Sequence, residues 1–240
     1  MRPLANKIVL SCCLIAGIGL SVFAVISLLA TDFEINRIAM IDSVAPDFEF
    51  VKESEYLTTA NQASMETYGT LAEMNDRAVM IAEVQIIDQQ IENILEAPPL
   101  PVTWSVAEVR EVYKGDNTTK SIVIGEIGGM VDRATSKTIE KESNGIPINS
   151  ENVYEYTIQG SPVMKKGNTY IVLLEQGTKE NTYAIVGTVQ GKLRISDTTN
   201  KGVVTIDPEI FAKQMNELFW FQRKFAGKDK ADIAAALKNY

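Results

Sequence analysis

Histidine is absent from all 240 residues, which removes Ser-His-Asp and Cys-His catalysis and the imidazole ligands that most zinc and copper centres use. Cysteine is nearly absent: Cys12 and Cys13 are the two in the chain, so nothing after them can form a disulfide or a thiolate metal site. That excludes a small disulfide-dense secreted module and fits a bacterial surface, where folding does not rely on crosslinks. Positive charge is also scarce. After residue 30 there are 21 basic against 31 acidic side chains, a formal −10. That balance makes a poor partner for nucleic acid or for anionic lipid, and its plain meaning is solubility. With 45% hydrophobic and 22% charged residues, the composition suits an ordered globular chain.

Charge is missing altogether from Ile8 to Ala30, "IVLSCCLIAGIGLSVFAVISLLA". As a helix rising about 1.5 Å per residue this run spans about 35 Å, enough for a hydrocarbon core of about 30 Å. Arg2 and Lys7 precede it, and Asp32 and Glu34 follow. The positive-inside bias therefore predicts a cytoplasmic N-terminus, a single-pass anchor in the cell membrane through residues 8–30, and an extracytoplasmic remainder. Cleavage near Ala24 or Ala30, giving a secreted protein, is the competing reading, although the run is longer than a signal-peptide core. Val9-Leu10-Ser11-Cys12 loosely matches a lipobox but has too short an apolar lead.

Four regions follow from the patterning: 1–30, an n-region and signal-anchor; 31–76, a tether and short helix; 77–207, a β domain; 208–240, C-terminal helices. Thr70-Leu71-Ala72-Glu73 fits a capping box and predicts a helix near 70–76. "AVMIAEVQII" (78–87) reads as a first strand, and the prolines of 97–101 interrupt the pattern. In "VTWSVAEVREVYKG", Val102, Trp104 and Val106 share a face and Val109 arrives out of phase. Either a β-bulge near 107–108 or two part-buried faces would explain it. Lys114-Gly115-Asp116-Asn117 supplies a turn into "SIVIGEIGG". Residues 130–152 are polar and aperiodic, a long loop of the functional or mobile kind. "VYEYTI", "TYIVLLEQ", "NTYAIVGTVQG" and "KLRIS" continue the strands, with "GVVTID" as a short last one. Asp207-Pro208 begins a helix striped by Phe211, Met215, Leu218 and Phe219, and a second helix follows Gly227.

The order of "WSVAEVREVYKG", the Ile122–Ile124 strand ending at Gly128-Gly129, "MKKGNTYIVLL" and "YAIVGTVQG" resembles the netrin-like domain of tissue inhibitors of metalloproteinases. That resemblance implies a mainly β, small OB-like barrel. It does not carry inhibition across, because those inhibitors chelate the protease zinc through an N-terminal cysteine and this domain has none.

Tyr113, Lys114, Gly128, Gly129 and Arg133 are the candidate binding residues, with ordinary turn and bend chemistry as the plainer account of them. Ser161 and Lys165 have the spacing of a Ser–Lys dyad, but their Gly- and Pro-rich surroundings predict a wet turn and a protonated lysine. Asp88, Glu92, Glu108 and Glu111 read as solvated charge rather than an acid/base pair or calcium loop. Phe219, Trp220 and Phe221, followed by Arg223 and Lys224, read as a helix packing on the barrel rather than an interfacial anchor. The expected function is a non-enzymatic interaction module for a protein or envelope ligand, with no cofactor. A carboxylate-dependent envelope hydrolase and a structural subunit of a surface assembly are the alternatives.

Overall fold

Thr70 opens the first helix as its spacing from Glu73 predicts. Its hydroxyl accepts the Glu73 N–H at 3.2 Å, and the Glu73 carboxylate accepts the Thr70 N–H at 3.1 Å. This reciprocal cap satisfies donors that a helix start otherwise leaves unpaired, and it begins α1 (Leu71–Arg77). The computed structural model describes residues 49–53, 57–61, 66–96, 99–131, 154–206, 208–214 and 218–239. The expected membrane anchor at 8–30, Asp207, Arg133 and nearly all of 130–152 lie outside the described residues. Among those described, no helix is long and apolar enough to cross a membrane.

The described chain is mainly β. Its strands are β1 (Leu57–Asn61), β2 (Met80–Glu96), β3 (Pro99–Lys114), β4 (Ser121–Ile127), β5 (Gly129–Val131), β6 (Tyr154–Ile158), β7 (Thr169–Gln176), β8 (Thr182–Ile185), β9 (Lys192–Ile195) and β10 (Gly202–Val203). Helices α2 (Pro208–Gln214), α3 (Trp220–Phe225) and α4 (Lys230–Lys238) close the chain. β1, β6 and β5 make a three-stranded sheet in which β1 and β6 run parallel. The other strands form one large sheet in the order β10-β9-β7-β2-β3-β4-β8.

A large sheet is a correction to the small closed barrel expected over 77–207. The reason lies in β7, whose edge away from β2 is divided. Thr169–Val172 pair with β9, while Leu174–Gln176 pair with β8. β9 and β10 thus extend the sheet from a strand that already has β2 and β8 beside it. β8 also runs parallel to β4 through Val123, Ile124 and Gly125.

Both faces of β7 are covered, which is why it reads as an unbroken apolar run rather than an alternation. Tyr170, Val172 and Leu174 join Ala82, Val84, Ile86, Ala107, Val109, Ile122 and Ile124 on one face. Ile171 and Leu173 join Leu71, Met74, Ile81, Trp220, Phe221, Phe225, Ile233 and Leu237 on the other, under the helices. The C-terminal aromatics are core, as the stripe predicts, but Leu218 and Phe219 lie in a turn before α3 rather than on a helix, and Met215 of the stripe lies outside the described residues. Gln222 is buried on α3, its amide donating to the carbonyls of Val189, Gln190 and Lys192.

Two local expectations change. Pro99 and Pro101 are not an interruption but the start of β3, opposite Glu96 and Asn93. On β3, Thr103, Ser105, Ala107 and Val109 form one buried face, while on the other Val102 is buried and Trp104 and Val106 are half-buried, so two part-buried faces account for the pattern. Val109 is therefore in phase with the inner residues. The register shifts instead fall at Ile87 on β2 and at Arg110 and Tyr113 on β3, with a fourth between Asn93 and Glu96 on β2. Small Ser, Thr and Ala suit a layer already filled by Ile86, Ile124 and Tyr170. Residues 49–53 and 57–61, inside the stretch read as a tether, bond to the domain: Val204 and Phe50 form a parallel bridge, and β1 pairs with β6.

Candidate functional site

Tyr113 and Lys114 sit at one end of β3 and serve packing there. Lys114 Nζ donates to the Asn75 carbonyl at 2.5 Å, and Tyr113 packs under α4, its hydroxyl 3.5 Å from Glu83 and its ring beneath Lys238 Nζ. Burial and the neighbouring Glu83 and Glu111 carboxylates push the phenol well above its ordinary value. Gly128 and Gly129 lie beyond the other end, where Gly128 N–H donates to the Pro101 carbonyl at 2.8 Å. Twelve residues of strand, about 40 Å if straight, separate Pro101 from Tyr113. The two pairs do not form one site. Both glycines have positive φ, +127° and +129°, and a side chain at either would strike Tyr156 or Thr103, so bending accounts for them.

The second face of β3 and β4 carries a cluster that the sequence reading did not single out. Trp104, Val106, Val123 and Gly125 are half-buried there, and Ile127 is 39% exposed. Trp104 stands directly opposite Gly125 on β4 and Gln90 on β2. Its indole lies across Gly125, since a Cβ there would come within 2.6 Å of Trp104 Cζ3. The Trp104 Nε1–H donates to Glu92 Oε2 at 2.8 Å. Lys179, from the turn between β7 and β8, reaches the same oxygen at 2.7 Å and stands 4.3 Å above the ring. These two contacts, Lys179 first, hold the Glu92 carboxyl below its ordinary value. An aromatic fixed by a glycine on one side and by a hydrogen bond at its edge is a rigid shelf with a polar rim.

The four carboxylates read as solvated charge are each held by a different cation: Asp88 by Lys166, Glu92 by Lys179, Glu108 by Arg110 and Glu111 by Lys238. They do not converge.

Sequence reasoning missed a buried polar plug. The 161–166 stretch, expected as a wet turn, carries Ser161, Val163 and Met164 buried. Four successive backbone N–H groups each find a different side chain. Val163 donates to Glu155 at 3.0 Å, Met164 to Glu126 at 3.0 Å, Lys165 to the Tyr170 hydroxyl at 2.9 Å and Lys166 to Gln89 at 2.9 Å. Lys192 bridges Glu126 at 2.6 Å and the Pro162 carbonyl at 2.5 Å, and Lys165 Nζ meets Glu155 at 2.6 Å. Glu53 adds a third carboxylate, accepting from Tyr170 at 2.6 Å and Asn168 at 3.0 Å, with Arg194 at 3.4 Å. Burial raises the Glu53 pKa despite the opposing Tyr170 bond and the nearby Arg194, Lys192 and Lys165. Lys165 is thus committed to a carboxylate rather than free to activate Ser161. Its partner Glu155 is ten residues away and follows no motif, so no local signal marked the pairing.

Among the described residues, no group of three or more His, Cys, Asp or Glu side chains is placed to hold a metal ion. Comparison of the chain with protein-family models, with curated proteins and with solved structures gives no match.

Proposed function

We propose that this protein is a membrane-anchored, extracytoplasmic interaction module without catalytic activity, and that it binds its ligand on the Trp104 face. The charge-free run at 8–30 behind Arg2 and Lys7 supports the anchor and its orientation. The order β2-β3-β4-β8-β7, with β8 parallel to β4 and antiparallel to β7, and β7 in turn antiparallel to β2, supports reading this part of the sheet as OB-like and netrin-like. In an OB arrangement the outer face of the second and third strands, flanked by two loops, is where ligands lie. Here those strands are β3 and β4.

The observation that carries the proposal is the half-buried indole of Trp104 laid over Gly125 beside exposed Ile127. A tryptophan with a free choice of sides is usually core, and on this strand the core side is taken by Thr103, Ser105 and Ala107. A carboxylate-dependent hydrolase needs two unpaired carboxyls across a cleft. The described candidates, Glu53, Glu126 and Glu155, are instead each in contact with a cation.

Retention of an envelope component by the full chain, compared between wild type and Trp104→Ala, tests the reading. Loss of that component from the variant, with an unchanged melting transition, is expected. Equal retention by both proteins would remove the Trp104 face from consideration.

A further inference from the structure

The Trp104 face has a chemistry that narrows its ligand, given that the face is the binding surface proposed above. The carboxylates that β2 and β3 place on it each touch a cation: Asp88 with Lys166 at 3.0 Å, Glu92 with Lys179 at 2.7 Å and Glu108 with Arg110 at 3.6 Å. A polyanion finds no unpaired cation among these, and a polycation no unpaired carboxylate. The chain after residue 30 adds a formal −10, which repels nucleic acid and other polyanions at longer range. What the face does offer is a flat aromatic surface with hydrogen-bonding groups around its edge.

From this balance we infer that the Trp104 face takes a neutral, hydroxyl-rich glycan, one sugar ring stacked on the indole where the Lys179 ammonium now stands. A pyranose has an apolar C–H face that suits an indole and hydroxyls that both donate and accept. Glu92 Oε2, at the indole edge, and exposed Gln90, directly opposite Trp104 on β2, are the polar groups beside the ring that can meet those hydroxyls. Lys179 covers the ring with one flexible side chain, and its pair with Glu92 is half in solvent, 52% and 47% exposed. Such a pair is weak, so the lysine is displaced at small cost. Gly125 keeps the indole flat, so the stacking surface exists before the ligand arrives.

The test uses the full-length chain and the β-1,4-linked hexamer of N-acetylglucosamine, followed by tryptophan fluorescence. Trp220, the second tryptophan, is buried and bonded to the Tyr68 carbonyl, so it supplies a constant background. Saturable binding is expected, little changed as salt rises from about 0.05 to 0.5 M, because no charge is neutralised. Trp104→Ala is expected to weaken it about tenfold or more, and Trp104→Phe to retain much of it. Lys179→Ala is expected to bind as well as wild type or better, since the ring is uncovered. Absence of hexamer binding, equal binding by Trp104→Ala, or loss of binding in Lys179→Ala with a steep salt dependence would each overturn the inference. Trp104-dependent binding of oligo-dT or of a lysine-rich peptide instead of the hexamer would also overturn it, while leaving the face itself standing. If the envelope component is retained equally by Trp104→Ala, the proposed face and this inference fall together.

Discussion

Glu53 shows at the scale of one residue how burial and charge compete. Its carboxylate is desolvated under Tyr170, and the cations of Arg194, Lys192 and Lys165 do not fully offset that penalty, so its pKa is raised above the ordinary 4.5. A raised carboxyl binds its proton more tightly in the folded chain than in the unfolded one. Its contribution to stability is therefore complete below 4.5 and is lost as pH rises through the folded value. Glu53→Gln removes this dependence. Between about pH 7 and pH 5 the wild-type melting temperature should gain on that of the variant. Parallel melting curves for the two proteins across that range would show that Glu53 does not titrate in this way.

At the scale of the element, the 162–166 segment is held by side chains rather than by a neighbouring strand. Pro162 has no N–H to satisfy, and each of the next four N–H groups is taken by a carboxylate, a phenol or an amide. The consequence is a fold element whose stability rests on ion pairs. Lys192 and Glu126 are 6% and 3% exposed, so breaking that pair leaves an uncompensated charge in the interior. Lys192→Met is expected to cost about 3–5 kcal/mol, and adding Glu126→Leu to return much of it, although Met164 N–H then loses its acceptor. Denaturant midpoints of the single and double variants decide it. A single variant within about 0.5 kcal/mol of wild type would mean that Lys192 does not hold the plug.

The strands themselves were legible and the plug was not, for the same reason. "TYIVLLEQ" is β7 to the residue, because its middle, Tyr170–Leu174, is covered on both faces and therefore reads as an unbroken apolar run. The cap at Thr70 and Glu73 was legible because its two partners are three residues apart. Glu126 and Lys192 are 66 residues apart and Glu53 and Tyr170 are 117 apart, so nothing local distinguishes them from surface charge. Trp104 was visible as a strand residue sharing a face with Val102 and Val106, but which face lies inside was not. Period-two alternation shows that two faces exist, and only the neighbours decide which is inside.

Across the whole molecule, the large sheet is tied together at β7, which has β2 on one edge and both β8 and β9 on the other. The β2–β3 hairpin, by contrast, runs on past Gln85, the last residue of β2 that pairs with β7. Ile87, Ile91 and Ile94 on that extension are 42–48% exposed. Backbone amides of β7 should therefore exchange hydrogen only by global opening, and those of 87–94 well before them. Exchange measured by mass spectrometry on the intact chain checks this order. Equal protection of the two stretches would mean that the extension is covered in solution.

The sequence by itself determined the exclusions and the local elements: no imidazole, no thiol after Cys13, a charge-free run long enough for a bilayer, a mainly β middle and helices at the end. These follow from residue type and from periods of two and 3.6, which act over a few residues. Only the tertiary structure decided that the sheet is large and branched at β7, that Trp104 looks outward over Gly125, and that three carboxylates are buried against three cations. Those outcomes depend on groups far apart in the chain competing for the same space and the same charge, and that competition exists only once the strands have met.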